Sequence, residues 1–195
     1  MAVVKEIVGI ILGLTGWILA VVVCVLPMWK VTAFIGANIV TAQIIFEGLW
    51  MVCVMQSTGQ LQCKVYDSML ALPVDLQAAR AMTVISIITA LLALIIFMMG
   101  TTCIKTEMRK ANAMLISGVF FIIAGILVII PVSWTTNSII QDFYNPILTM
   151  AQKRELGASL YIGFAAAALL IIAGGLQRRG SKRAAPLHTS STVMA

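Results

Sequence analysis

The sequence predicts an all-α transmembrane four-helix bundle that carries a small antiparallel β-sheet outside the membrane. Three observations point there. First, 61% of the 195 residues are hydrophobic and only 10% are charged, with a mean hydropathy of +1.05. An average soluble domain has about 25% charged residues, and a soluble core of this size has no room for so much apolar side chain. Second, four runs at 7–26, 81–104, 111–131 and 157–176 have no charged residue in their interior. Each reaches the length of about 20 residues that crosses the roughly 30 Å hydrocarbon layer. Third, the long stretch between the first two runs is rich in strand formers and holds two closely spaced cysteines, Cys53 and Cys63.

Taken in order, residues 1–6 form a short terminus before the first span, 7–26. That span is longer than the apolar segment of a signal peptide, and Lys5 is followed at once by Glu6, so it reads as a retained helix. A long outer loop, 27–80, precedes the second span, 81–104. A tight inner turn, 105–110, makes the second and third spans antiparallel neighbours. The third span, 111–131, closes on Pro131, which lacks an amide donor and is expected to bend or stop the helix. A shorter outer loop, 132–156, leads to the fourth span, 157–176, and a tail, 177–195. Gly9 and Gly13 in the first span, and Gly174, Gly175 and the alanines at 165–168 in the fourth, would let helix backbones approach closely; the alternative is that small residues are simply common in membrane helices.

Charge placement chooses the sidedness. Lys5, Lys105, Arg109, Lys110, Arg178, Arg179, Lys182 and Arg183 lie on the side of the termini, with only Glu6 and Glu107 against them. On the loop side, Lys30, Lys64, Arg80, Lys153 and Arg154 are balanced by Glu47, Asp67, Asp75, Asp142 and Glu155. The whole net charge of +6 therefore falls on the terminal side. By the positive-inside pattern that side is cytoplasmic, and anionic membrane lipid accounts for the charge without nucleic acid.

In the first loop, 29–34, 39–46, 50–55 and 61–66 are strand-like, and a loop of this length without structure would be unusual. If Ser57-Thr58-Gly59 is a three-residue hairpin turn, with Gly59 left-handed, Gln56 faces Gln60 and Cys53 faces Cys63. Cross-strand partners lie within disulfide reach, and a disulfide persists on an oxidising outer face. The alternative is two free thiols. Neither cysteine has the neighbouring His or Cys that a zinc site needs, so no metal is expected. Cys24 lies within a span. Cys103, at the inner boundary, is either a palmitoylation site or a plain buried thiol. No catalytic constellation stands out and no cofactor is implied: the single histidine is His188 in the tail, and no glycine-rich phosphate loop or Asn-x-Ser/Thr sequon occurs.

Trp29, then Gly48-Leu49-Trp50, then Cys53 and Cys63, in the first outer loop of a four-span chain, resembles the claudin signature, and Arg80 at the foot of that loop fits the family pattern. So do Pro131-Val132-Ser133-Trp134 and Asp142-Phe143-Tyr144-Asn145-Pro146. The resemblance covers roughly residues 5–176 and is nearest the barrier-forming claudins that serve as receptors for a clostridial enterotoxin. It implies a left-handed bundle with a five-stranded extracellular sheet, four strands from the first loop and one from the second. It further implies a plasma-membrane, tight-junction protein that polymerises with itself and with other claudins and seals the space between cells. By that likeness Met69 would insert laterally between Phe143 and Tyr144 of a neighbour, the alternative being that these side chains lie on their own bundle or in headgroups. Phe34 and Ile35 would suit head-on contact. Asn145, Pro146, Ile147 and Leu148 would be the toxin's handle. Gln56, neutral where cation-pore claudins are acidic, and Lys64 would make the barrier resist cations; the alternative is that Lys64 is a solvated surface charge.

The tail departs from the family. Most claudins end in Tyr-Val and dock PDZ scaffolds, whereas this chain ends Val193-Met194-Ala195, a poor anchor. Gln177-Arg178-Arg179-Gly180 stands where a cysteine cluster often follows the fourth helix. The rival reading is an auxiliary subunit of the claudin superfamily that modulates a channel or adhesion complex; self-assembly into strands separates the two.

Overall fold

A computed structural model describes residues 2–32, 44–56, 58–68, 72–102, 106–146 and 153–184. The chain runs α1 (Ala2–Val25), β1 (Lys30–Thr32), β2 (Ile44–Glu47), β3 (Met51–Met55), β4 (Leu61–Val65), α2 (Val74–Thr102), α3 (Glu107–Tyr144), β5 (Arg154–Leu156) and α4 (Ala158–Ala184). All four helices contain stretches long and apolar enough to cross a membrane, and the five strands form one antiparallel sheet in the order β4-β3-β2-β1-β5. The fold class expected from the sequence is the one found.

The chain divides into two compact units. One comprises residues 1–20, 85–128 and 165–195. It is closed by small residues and a few polar ties. A Cβ on Gly118 would sit 2.8 Å from the carbonyl oxygen of Gly174, and a Cβ on Gly174 would strike that of Gly118, so α3 and α4 meet backbone to backbone. Gly13 lies under the ring of Phe121. Ser86 donates to the Ala124 carbonyl and Ser117 to that of Ala93, both at 2.8 Å, and Ser117 also lies 3.0 Å from Gln177 Oε1. Of the paired glycines expected in the fourth span only Gly174 is a contact; a Cβ on Gly175 would meet nothing within 4 Å.

The other unit comprises residues 21–84 and 129–164 and holds the sheet. Its core contains Trp29, Leu49, Cys53, Leu76, Val132 and Leu160, all essentially inaccessible. The helix expected to bend or stop at Pro131 does not stop: α3 continues through it to Tyr144 and is 38 residues long. At about 1.5 Å per residue that is about 57 Å, well beyond the hydrocarbon thickness. Pro131 removes one hydrogen bond, to the Leu127 carbonyl, and its buried ring packs instead. Much of the shorter outer loop is thus helix. Buried Val132, Thr135 and Ile139 recur at helical spacing along it.

Candidate assembly surface

The sheet is tied to the end of α1 by the residues of the W…GLW pattern. The last carbonyls of a helix lack intrahelical donors. The buried Trp29 indole supplies one, donating to the Val23 carbonyl at 2.9 Å. Trp29 also places its own backbone between two strands: its N–H donates to the Glu47 carbonyl and its carbonyl accepts from Gly157 N–H. Gly48 permits the close pass of the chain against Pro27, where a Cβ would overlap the proline Cα. Leu49 is fully buried. The Trp50 indole N–H points at Cys24 Sγ, 3.4 Å away, and the Arg80 guanidinium lies 3.8 Å above the Trp50 ring. The five signature residues Trp29, Gly48, Leu49, Trp50 and Arg80 therefore hold the sheet onto the helices.

The hairpin has the expected register. Gln56 N–H donates to the Gln60 carbonyl, Gly59 takes φ +78°, and Cys53 pairs with Cys63 across β3 and β4 as a disulfide. Gln56 Nε2 donates to Gln62 Oε1 at 3.3 Å. Lys64 lies opposite Val52, away from Gln56, so the two candidate selectivity positions are not brought together. Lys64 is bonded to Asp67 at 2.7 Å, and both side chains are 78% exposed. That hydrogen bond and the carboxylate's charge raise the Lys64 pKa.

Two ion pairs that the sequence presented only as balanced loop charges are structural. Lys30 meets Asp75 at 2.6 Å with both side chains nearly buried, joining β1 to the start of α2. Arg154 on β5 directs Nε and Nη2 to one Glu47 oxygen, at 3.0 and 2.7 Å, reaching across β1 to β2. Nothing in the spacing of these residues revealed the pairing, which depends on β5 joining the far side of β1. Beside them the Tyr66 hydroxyl donates to the Gly48 carbonyl. Burial, and then the charge of Glu47, push its pKa up to about 12.

The C-terminal end of α3 carries the aromatic pair. Phe143 and Tyr144 meet edge to face at 5.6 Å, Lys153 Nζ lies 5.5 Å from the Phe143 ring, and Tyr144 is 79% exposed. With Ile139, Ile140, Leu156 and Tyr161 they line an open groove of about 310 Å³. Asn145 and Pro146 follow directly, and the Asn145 N–H donates to the Asp142 carbonyl. Phe34, Ile35, Met69, Ile147, Leu148 and Cys103 lie outside the described residues.

Four membrane-length helices, a disulfide-clipped five-stranded sheet and aromatic side chains beside β5 define the class as an integral membrane protein. The sequence profile of the PMP-22/EMP/MP20/Claudin family matches residues 3–177. Human Claudin-4 is 59% identical over 174 residues, 88% of this chain and 83% of the relative. Human Claudin-6 is 59% identical over 174 residues, 88% and 79%, and the zebrafish (Danio rerio) Claudin-like protein ZF-A89 is 59% identical over 174 residues, 88% and 84%. The chain belongs to this family and is a claudin. As such it is a structural, multi-pass membrane protein of tight junctions that associates with itself and with other claudins.

Proposed function

We propose that this claudin polymerises into junctional strands that seal the space between cells and resist cation passage, with both termini cytoplasmic. The observation that carries the reading is the groove beside the sheet. Phe143 and the exposed Tyr144 stand on a helix too long to end inside the membrane, next to β5. Exposed aromatic anchors beside a rigid scaffold are the usual centre of a protein interface. Met69 of a neighbour is the matching knob. Sidedness rests on the eight basic residues at the termini and the inner turn. The test is freeze-fracture electron microscopy of strand-deficient cells expressing the chain. Continuous strands are expected at contacts, lost on Tyr144→Ala with Phe143→Ala. Surface-delivered protein without strands would reject polymerisation and favour the auxiliary-subunit reading.

The turn after α3 supports a second property of the same surface, recognition by a clostridial enterotoxin through Asn145, Pro146, Ile147 and Leu148. Asn145 is half-buried and directly follows Tyr144, which lines the groove. Toxin binding to expressing cells should fall on Asn145→Ala; unchanged binding would remove this site from consideration.

A further inference from the structure

The geometry points to a binding site for one anionic phospholipid at the base of α3 and α4, formed by Arg178 and Arg179 around an open crevice at Gly175 and Ile122. These four residues line a groove of about 300 Å³. Its polar end is cationic only, and among the described residues neither arginine has a carboxylate partner. Its apolar end is open because Gly175 has no side chain and a Cβ there would meet nothing within 4 Å. The neighbouring backbone is fixed: Gly118 is sandwiched between Gly174 and the Arg178 stem, and a Cβ on Gly118 would lie 3.1 Å from Arg178 Cγ. The inner part of the Arg178 stem therefore packs against Gly118, and its exposed guanidinium borders the groove.

Depth in the membrane supplies the ligand class. Gly9 rests on Gln177 Cγ, and the apolar stretch of α1 begins two residues earlier at Ile7. At about 1.5 Å per residue, Arg178 and Arg179 lie within about a turn of the level where α1 enters the hydrocarbon. The candidate span of α4 itself ends at Arg179. Two exposed guanidiniums at that border are costly unless they reach an anion, and the phosphates of the leaflet stand at that height. A phosphate diester fits the planar donors of arginine. The acyl chain below it would lie in the notch left by Gly175 against Ile122. A soluble phosphate satisfies only the first half of this arrangement. The site extends the sidedness proposed above by naming a ligand for the inner leaflet.

The test uses the full chain in detergent micelles, by native mass spectrometry with added phosphatidylserine or phosphatidylcholine. Wild type is expected to retain one phosphatidylserine in preference to phosphatidylcholine. The preference should fall about tenfold or more in Arg178→Gln/Arg179→Gln, given the attraction of about one basic residue per unit step. Arg109→Gln/Lys110→Gln, with the same loss of charge, should leave it intact. Gly175→Phe keeps both charges and meets open space, so it should fold, yet it should weaken phosphatidylserine retention by filling the notch. Equal loss in the two charge variants would overturn the site in favour of general attraction. Retention unaffected by Gly175→Phe, or abolished by inorganic phosphate, would overturn the lipid assignment. Micelles have no sides, so these outcomes are independent of topology; protease protection of the tail in intact cells tests that separately.

Discussion

Arg80 is a cation above an aromatic face and forms no ion pair among the described residues. Its guanidinium lies 3.8 Å above the Trp50 ring, whose indole reaches Cys24. Arg80→Lys keeps the charge and loses the flat stack, so it should lower stability by about 1 kcal/mol. Thermal unfolding in detergent measures it; a loss as large as that of Arg80→Ala would show that charge contributes nothing. Tyr66 contributes in a different way, as a half-buried phenol bonded to the Gly48 carbonyl. Its pKa rises from 10.0 to about 12, first through burial and then through Glu47. Unfolded protein therefore loses the phenolic proton before folded protein does. The stabilisation is complete below pH 10.0 and disappears as pH climbs towards about 12. Melting temperature measured across that window should fall, and Tyr66→Phe should flatten the part due to this group. Identical slopes in both proteins would sink the assignment.

Among elements, the α3–α4 contact tolerates no added atom at Gly174 and accepts one at Gly175. Gly174→Leu should destabilise by about 2 kcal/mol or more through backbone collision, while Gly175→Leu should be near neutral. Size-exclusion profiles and melting of the two variants check this; parity between them would contradict the packing. The sequence showed that small residues line the fourth span but not which of two adjacent glycines faces α3, because helical phase depends on the partner. The hairpin was legible because turn chemistry fixes register: one glycine at the left-handed position sets every pair up to Cys53 and Cys63. The length of α3 was not. Its C-terminal part carries polar and β-branched residues that read as loop, and only the spacing of Val132, Thr135 and Ile139 betrays a buried face.

For the whole molecule, the charge selectivity proposed above would belong to the sheet of an assembled pore. Lys64 is bonded to Asp67 and both are solvated, so their fields largely cancel at a distance and salt screens the rest. Lys64→Ala should change the sodium-to-chloride permeability ratio of expressing monolayers little. Gln56→Asp adds an uncompensated negative charge and should raise it. Dilution potentials decide; a large effect of Lys64→Ala with none of Gln56→Asp would move the selectivity position to β4. The sequence revealed the membrane class, the four spans and the sheet because hydrophobic runs, strand formers and turn residues are local signals. It did not reveal Lys30–Asp75, Glu47–Arg154 or the crevice beside Arg178, because these depend on which elements meet.

The strand order has a consequence for biosynthesis. β1 lies between β2 and β5, yet β5 is made 122 residues after β1 ends, counting from Thr32 to Arg154. A nascent chain can close its disulfide and pair four strands while the third helix is still being inserted. Until Leu156 emerges, one edge of β1 has unpaired amides and Glu47 lacks its arginine. An open edge of this kind is an adhesive surface. Ribosome-bound chains halted before residue 154 should therefore hold chaperones that chains halted after residue 184 release, making completion of the sheet a checkpoint late in synthesis.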